Sequence, residues 1–331
     1  MGKKILFIFG FAILLLVNVN QNNTTLDPID NVESNVVLSV DTYNSERKST
    51  KIYFSKVPDR VIASRLNTAE TLLALGVEDK IKAINMQNTD WNKRYQTEYE
   101  RKGEALSYLT YRDLTREEAI MMNPDFIIGW ASLFSDKRFG TTEFWNKRHV
   151  PTYIQATSNL VKPYATVEDE CQFIEDMGRI FHVETRARML INKIHIDIAN
   201  IQDKIKTYEQ PKVVVLEFSG NSIDTYGEEW LVGDLVKQAK GHLLCSTGHL
   251  SYEDLIILNP DVIFIVYFND DREYMVDKLI KNPAFKSLDA VKNRRYYPIR
   301  LDYMYATGVR TAKGIDIIAK GLYPQLSKVE K

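Results

Sequence analysis

Two cysteines in 331 residues, Cys171 and Cys245, are too few and too far apart for a disulfide framework, and neither stands in a Cys-x-x-Cys pair. Five histidines are scattered without a His-x-His or His-Glu-x-x-His pattern, so no dedicated zinc site is expected. An excess of one charge is also missing. Lys and Arg number 43 against 44 Asp and Glu, a formal net charge of -1. Nucleic-acid binders ordinarily carry a basic surplus that displaces phosphate counterions, so no nucleic-acid partner is expected. The Gly-x-Ser-x-Gly, P-loop and Gly-x-Gly-x-x-Gly signatures do not occur, which leaves catalysis without a motif to support it.

What is present is an ordinary globular composition, 44% hydrophobic and 26% charged, at a length that predicts about two domains. The chain opens with Lys3 and Lys4 followed by an apolar run of about 15 residues, ILFIFGFAILLLVNV. A positive start before a short apolar core is the pattern of an export signal, and the run is shorter than the ~20 residues that span a bilayer comfortably. Residues 1–20 therefore read as a signal peptide or N-terminal anchor. Residues 21–54, rich at first in Asn, Asp, Ser and Thr, read as a flexible tether.

The chain repeats itself once, at an offset of 136 residues. Thr115 to Ile128 (TREEAIMMNPDFII) lies over Ser251 to Phe264 (SYEDLIILNPDVIF). Each copy starts with a hydroxyl residue and places an acid three positions on, a capping-box arrangement that opens a helix. Asn-Pro-Asp then stops the helix, because proline disfavours helical geometry in the residue before it. A β-branched apolar run follows, as suits a strand covered on both faces. Further elements fit. Arg60–Ser64, Lys82–Ile84 and Lys212–Phe218 read as strands, while Thr68–Leu75 and Trp230–Lys240 read as helices closed by Gly76 and Gly241. Between the two halves, Val183–Glu209 places Ala187, Leu190, Ile191, Ile194, Ile198, Ile201 and Ile205 at helical spacing with no Gly or Pro. The expected fold is α/β: an N-terminal lobe over 55–182, a connecting helix over 183–209 and a C-terminal lobe over 210–331. The two lobes are similar, with mainly parallel sheets, and form a stiff clamp rather than a loose hinge.

At these residues the chain resembles the substrate-binding proteins of ABC importers that capture ferric siderophores, haem or cobalamin. The resemblance covers about residues 55–325. It rests on PDRVIA from Pro58, TAETLLALGVEDKI from Thr68, the two Glu-x6-Pro-Asp units, WLVGDLVKQAKG from Trp230, NPAFKSLDAVKNRRYY from Asn282 and AKGLYP from Ala319. Two departures stand out. No cysteine follows the apolar run to carry a lipid, and the third motif reads Ala-Lys-Gly where the family usually has Ala-Gly-Gly. The resemblance implies a ligand cleft between the lobes and a location in the periplasm or on the outer face of the cell membrane. It also implies delivery of cargo to a permease dimer. Glu117 and Glu253, one on each lobe, would dock onto arginine pockets of the two permease subunits; both also suit the first turn of a helix, where the dipole favours a carboxylate.

In open α/β sheets, ligands sit beyond the carboxyl ends of the strands. Loops there supply the ligand-binding candidates Arg65, Trp130, Lys137, Arg138, Tyr226, Trp230, Tyr267, Tyr303, Tyr305 and Arg310. Aromatics give flat contact to a bulky ligand, and Arg or Lys answers anionic oxygens. Each has a plainer alternative: Trp130 and Tyr267 as packing between the lobes, Lys137 and Arg138 as a solvated surface pair. A ferric siderophore or related iron chelate is the expected cargo, because cobalamin clefts tend to be aromatic and less cationic. Cobalamin or haem remains the alternative, with Tyr226 or Tyr303 as a haem ligand, and a free metal ion comes behind both. No resident cofactor or protein-held metal is expected, and the chain is expected to be a monomer.

Overall fold

The computed structural model describes residues 38–85, 109–110, 114–220, 222–268 and 271–328. The expected signal segment and the start of the tether lie outside them. The rest of that tether is not a tether. Strands β1 (Leu38–Tyr43) and β2 (Ser49–Phe54) pair antiparallel as a hairpin. Alternation explains it: Val40, Ile52 and Phe54 turn inward, and Phe54 meets Phe126 edge-on at 5.0 Å. Thr42 Oγ1 donates to the Ile154 carbonyl and accepts from the Ile154 amide, which ties the hairpin to the first lobe.

That lobe follows with β3 (Val61–Ser64), α1 (Leu66–Leu75), β4 (Ile81–Asn85), β5 (Leu109–Thr110), α2 (Arg116–Met121), β6 (Phe126–Gly129), α3 (Thr142–Asn146), β7 (Thr152–Ile154) and α4 (Val167–Ile180). Its five strands run parallel in the order β5-β4-β3-β6-β7. Helix α5 (Glu184–Ile205) is the connecting helix, 22 residues and about 33 Å long. Ala187, Ile194, Ile198 and Ile205 are buried on it, while Leu190, Ile191 and Ile201 are half-buried against the same core. The second lobe holds β8 (Lys212–Ser219), β9 (Ser222–Thr225), α6 (Leu231–Gln238), β10 (His242–Leu243), β11 (Gly248–Leu250), α7 (Tyr252–Leu258), β12 (Val262–Tyr267), α8 (Arg272–Ile280), α9 (Asp289–Lys292), β13 (Tyr296–Arg300) and α10 (Thr311–Leu322). Its sheet runs β11-β9-β8-β12-β13 with β10 on β8. The sheet is mixed: β9 is antiparallel to both neighbours, so the expectation of mainly parallel pairing holds fully only in the first lobe.

The sequence repeat has a physical cause. In each copy a true capping box opens the helix: Thr115 with Glu118, and Ser251 with Asp254. The aspartate of each Pro-Asp then binds the start of the lobe's first parallel strand. Asp125 accepts from the amides of Asp59 and Arg60, and Asp261 from the amide of Lys212. Their own amides donate back, to the carbonyls of Arg60 and Lys212. This clasp sets the register Val61 opposite Phe126 and Val213 opposite Val262. The Ala-Lys-Gly departure also has a local account. Lys240 holds φ 56°, a left-handed conformation that suits glycine, while its Nζ donates to the carbonyls of Lys206 and Tyr208 beyond the end of α5.

One apolar core runs from Val61 and Phe126 through α5 to Val213, Phe264 and Ile315, so the two lobes are not independent bodies. Polar ties reinforce it. Asp234 of α6 accepts from the Val167 amide at the start of α4, and Glu229 O accepts from the Tyr164 amide. Deepest of all, Glu170 of α4 is 1% exposed and accepts from the amides of Thr307 (3.0 Å) and Gly308 (2.7 Å). Gly308 is there of necessity: its φ is +54°, and a Cβ would lie 2.6 Å from Thr71 Oγ1. Burial raises the Glu170 carboxyl to about 7, against the opposing pull of the Thr157 hydroxyl and the two amides. A value raised in the folded state contributes stability in full below the ordinary 4.5 and loses it as pH rises through 7. Relative to Glu170→Gln, the natural protein should therefore lose on the order of 2–3 kcal/mol as pH rises from 4.5 to above 7. Urea unfolding of both across that range measures it, and a constant difference between them would contradict the assignment.

Candidate ligand site between the lobes

The carboxyl ends of β3, β6, β8 and β12 deliver the cleft loops, as the strand rule requires. Five of the candidate residues form one continuous line across the lobes. The Arg65 guanidinium sits 5.0 Å from the Trp130 ring. Trp130 meets Tyr305 edge-on at 4.8 Å, and Tyr305 meets Trp230 at 5.2 Å. Trp230 lies 6.1 Å from Tyr226, whose hydroxyl donates to Glu217 Oε2 at 2.7 Å. Trp130 comes from the first lobe and Trp230 from the second. Tyr305 stands between them, on the segment that Glu170 anchors two residues further on. Its hydroxyl accepts from the Asn159 amide.

Two features of this line are unusual. The Nε1 atoms of Trp130 and Trp230 are both buried without a hydrogen-bond partner among the described residues. A buried unsatisfied donor costs about 1–3 kcal/mol, so an acceptor brought to either indole would be favoured. Arg65 holds φ 77° and ψ 157°, a region essentially reserved for glycine. Its amide is pinned by the Asn85 carbonyl at 2.9 Å. Strain of this kind costs of order 1–3 kcal/mol and gathers at functional sites. Close packing behind Arg65 adds rigidity: a Cβ on Gly129 would lie 3.0 Å from that of Ser64.

The other candidates lie elsewhere. Arg310 is held by Glu70 through two nitrogens and by Asp302 through a third, and its side chain is only 11% exposed. It joins α1 to the C-terminal segment, and an arginine so engaged is a poor ligand contact. Tyr303 is half-buried beneath it, with the guanidinium 5.0 Å from the ring. Tyr267 is half-buried at the end of β12, in register with Arg300. Lys137 and Arg138 are exposed and border a separate hollow of about 380 Å³ that Glu117 also lines. Glu117 and Glu253 are exposed in the first turns of α2 and α7, and neither is the capping acid. A tyrosinate at Tyr226 is disfavoured, since burial first and Glu217 second push its ionisation far upward.

Among the described residues, one group could hold a metal ion: Glu168, Cys171 and His195, on α4 and α5 away from the aromatic line. His195 Nε2 lies 3.6 Å from Cys171 Sγ and 3.0 Å from Glu168 Oε1. Burial, then the charges of Glu168 and Glu170, push the Cys171 thiol up to about 12, so it stays protonated near neutral pH.

Sequence reasoning did not find Glu170, Glu70, Asp302 or Glu217. Glu170 left one signal: an acid inside the apolar stripe of Val167, Cys171, Ile174 and Met177. Arg310→Ala would remove the buried cation that Glu70 and Asp302 share, while Arg300 Nε stays 3.2 Å from Asp302. It is expected to cost about 3–5 kcal/mol in chemical denaturation. A stability within 1 kcal/mol of the natural protein, about the worth of an exposed pair, would remove the strut assignment.

The family model described as periplasmic binding protein matches residues 61–303. A Bacillus subtilis protein, the uncharacterized ABC transporter substrate-binding lipoprotein YvrC, is 22% identical over 284 residues, 84% of each chain. Among solved structures, a periplasmic binding protein from Veillonella parvula is 26% identical, covers 89% of this chain and 94% of its own, and superposes with a TM-score of 0.76. An ABC-type Fe3+-hydroxamate transport system protein from Saccharomonospora viridis is 17% identical, covers 86% and 99%, and has a TM-score of 0.71. No helix among the described residues is long and apolar enough to cross a membrane. With a matching family model over most of its length and the bilobal fold beneath it, the chain belongs to the periplasmic binding protein family, a family of binding proteins and not of enzymes.

Proposed function

We propose that this protein captures a ferric siderophore or a related iron chelate between its lobes, against the Trp130–Tyr305–Trp230 line, and delivers it to an ABC permease. The observation that carries this reading is the pair of buried, unpartnered indole N–H groups on either side of Tyr305, with the strained Arg65 at one end. Two donors and a guanidinium suit a bulky ligand rich in acceptor oxygens, and the rings suit its apolar body. The chelator already fills the coordination sphere of iron, so the protein need supply no metal ligand. The Saccharomonospora viridis structure, described as an Fe3+-hydroxamate transport protein, supports the same chemistry. Tyr267 and Tyr303 would act from the rim, while Lys137 and Arg138 stay at the separate hollow beside Glu117. Glu117 and Glu253 would dock onto the two permease subunits, and export by residues 1–20 would place the protein outside the cytoplasm.

Cobalamin is the second reading, because the line is aromatic and Arg310 is spent on Glu70 and Asp302. Tryptophan fluorescence, titrated with ferric hydroxamates, ferric catecholates, ferric citrate, haem and cobalamin, separates the two. Saturable quenching by one ferric chelate is expected, weakened about tenfold or more in Arg65→Ala, equivalent to about 1.4 kcal/mol. Quenching by cobalamin alone, or by none of these ligands, would overturn the iron reading.

A further inference from the structure

Each docking helix carries a second exposed feature besides its glutamate. Met121 is 84% exposed and Ile257 is 80% exposed, the highest values of any large hydrophobic residue among those described. The two are related by the same offset of 136 residues that relates Glu117 to Glu253. Each stands four residues after its glutamate, so the carboxylate and the apolar side chain share one helix face. The rest of the helix is matched as well. Ala119 and Leu255, again at that offset, are fully buried and seat the helix on its lobe. Local folding gives no reason to leave a large apolar side chain so far out on one helix. It gives less reason to do so at equivalent places on both lobes, whose sequences otherwise differ.

We propose that Met121 and Ile257 are the apolar halves of two equivalent permease-docking spots, each made of one glutamate and one hydrophobic side chain a turn apart. The inference rests on the permease-docking reading of Glu117 and Glu253. The partner it fits is an importer with two like subunits, each presenting a cationic group beside an apolar depression, because a repeated pair on two lobes matches a twofold partner. The charges steer and register the encounter, and burial of the apolar groups against the partner prolongs it.

Photocrosslinking in the cells that make the protein tests this, with p-benzoylphenylalanine placed singly at positions 117, 121, 253 and 257. Positions 189 and 196, exposed hydrophobic sites on α5, serve as controls. Crosslinks to an ABC permease subunit, identified by mass spectrometry, are expected at all four test positions and at neither control. Met121→Ser and Ile257→Ser should each slow uptake of the quenching chelate about tenfold, with ligand quenching and Tm unchanged. Crosslinks at 117 and 253 with none at 121 and 257 would leave the glutamate docking in place and overturn the apolar half. Unchanged uptake in the double Met121→Ser, Ile257→Ser variant would overturn it too. No permease crosslink at any of the four would overturn both.

Discussion

The buried carboxylate of Glu170 is the contact on which the rest of the cleft depends. It holds the amides of Thr307 and Gly308 and so fixes where the C-terminal segment leaves the second lobe and packs on the first. Two residues upstream, that placement puts the Tyr305 ring between Trp130 and Trp230. Arg310, two residues downstream of Gly308, is drawn onto Glu70 of α1. An acid at this depth is costly, and its raised affinity for a proton is the sign of that cost. The return is a cleft floor shared by both lobes. With a common core running through α5, it ties the two lobes into one packed body.

Within that frame the two lobes solve the same problem twice. A short helix must be started, stopped and registered on a sheet. A capping box starts it, Asn-Pro stops it, and the next aspartate clasps the neighbouring strand's amides. The capping acids are consumed in this work. Glu117 and Glu253, one residue earlier, are not, and remain exposed on the surface. A structural repeat thus presents a pair of equivalent surface groups at no further cost to folding.

Much of this was legible in the sequence because it rests on local rules. The helix-turn-strand repeat, the long amphipathic α5 and the loops that carry the line from Arg65 to Tyr226 follow from periodicity, capping and the placement of loops after strands. What was not legible depends on contacts between distant residues. The hairpin over 38–54 hides in a segment whose start is polar, and only Val40, Thr42, Ile52 and Phe54 alternate inward. Arg310 looked like a cleft cation because its partners, Glu70 and Asp302, lie on other elements. Strain at Arg65 leaves no trace in the sequence, since nothing about an arginine after β3 announces a positive φ. The Lys240 departure from Ala-Gly-Gly was legible as a variant, but not the pair of carbonyls that its ammonium ties beyond α5.

The central claim is that cargo sits between the lobes, against the two indoles and the Tyr305 ring that joins them. Anomalous scattering at the iron edge, from crystals grown with a ferric trihydroxamate, tests it most directly. The account predicts one iron peak between the lobes, flanked by Trp130, Trp230 and Arg65, with chelate oxygens within hydrogen-bonding reach of both indole nitrogens. An iron peak at Glu168, Cys171 and His195 instead, with the two tryptophans still unpartnered, would contradict it.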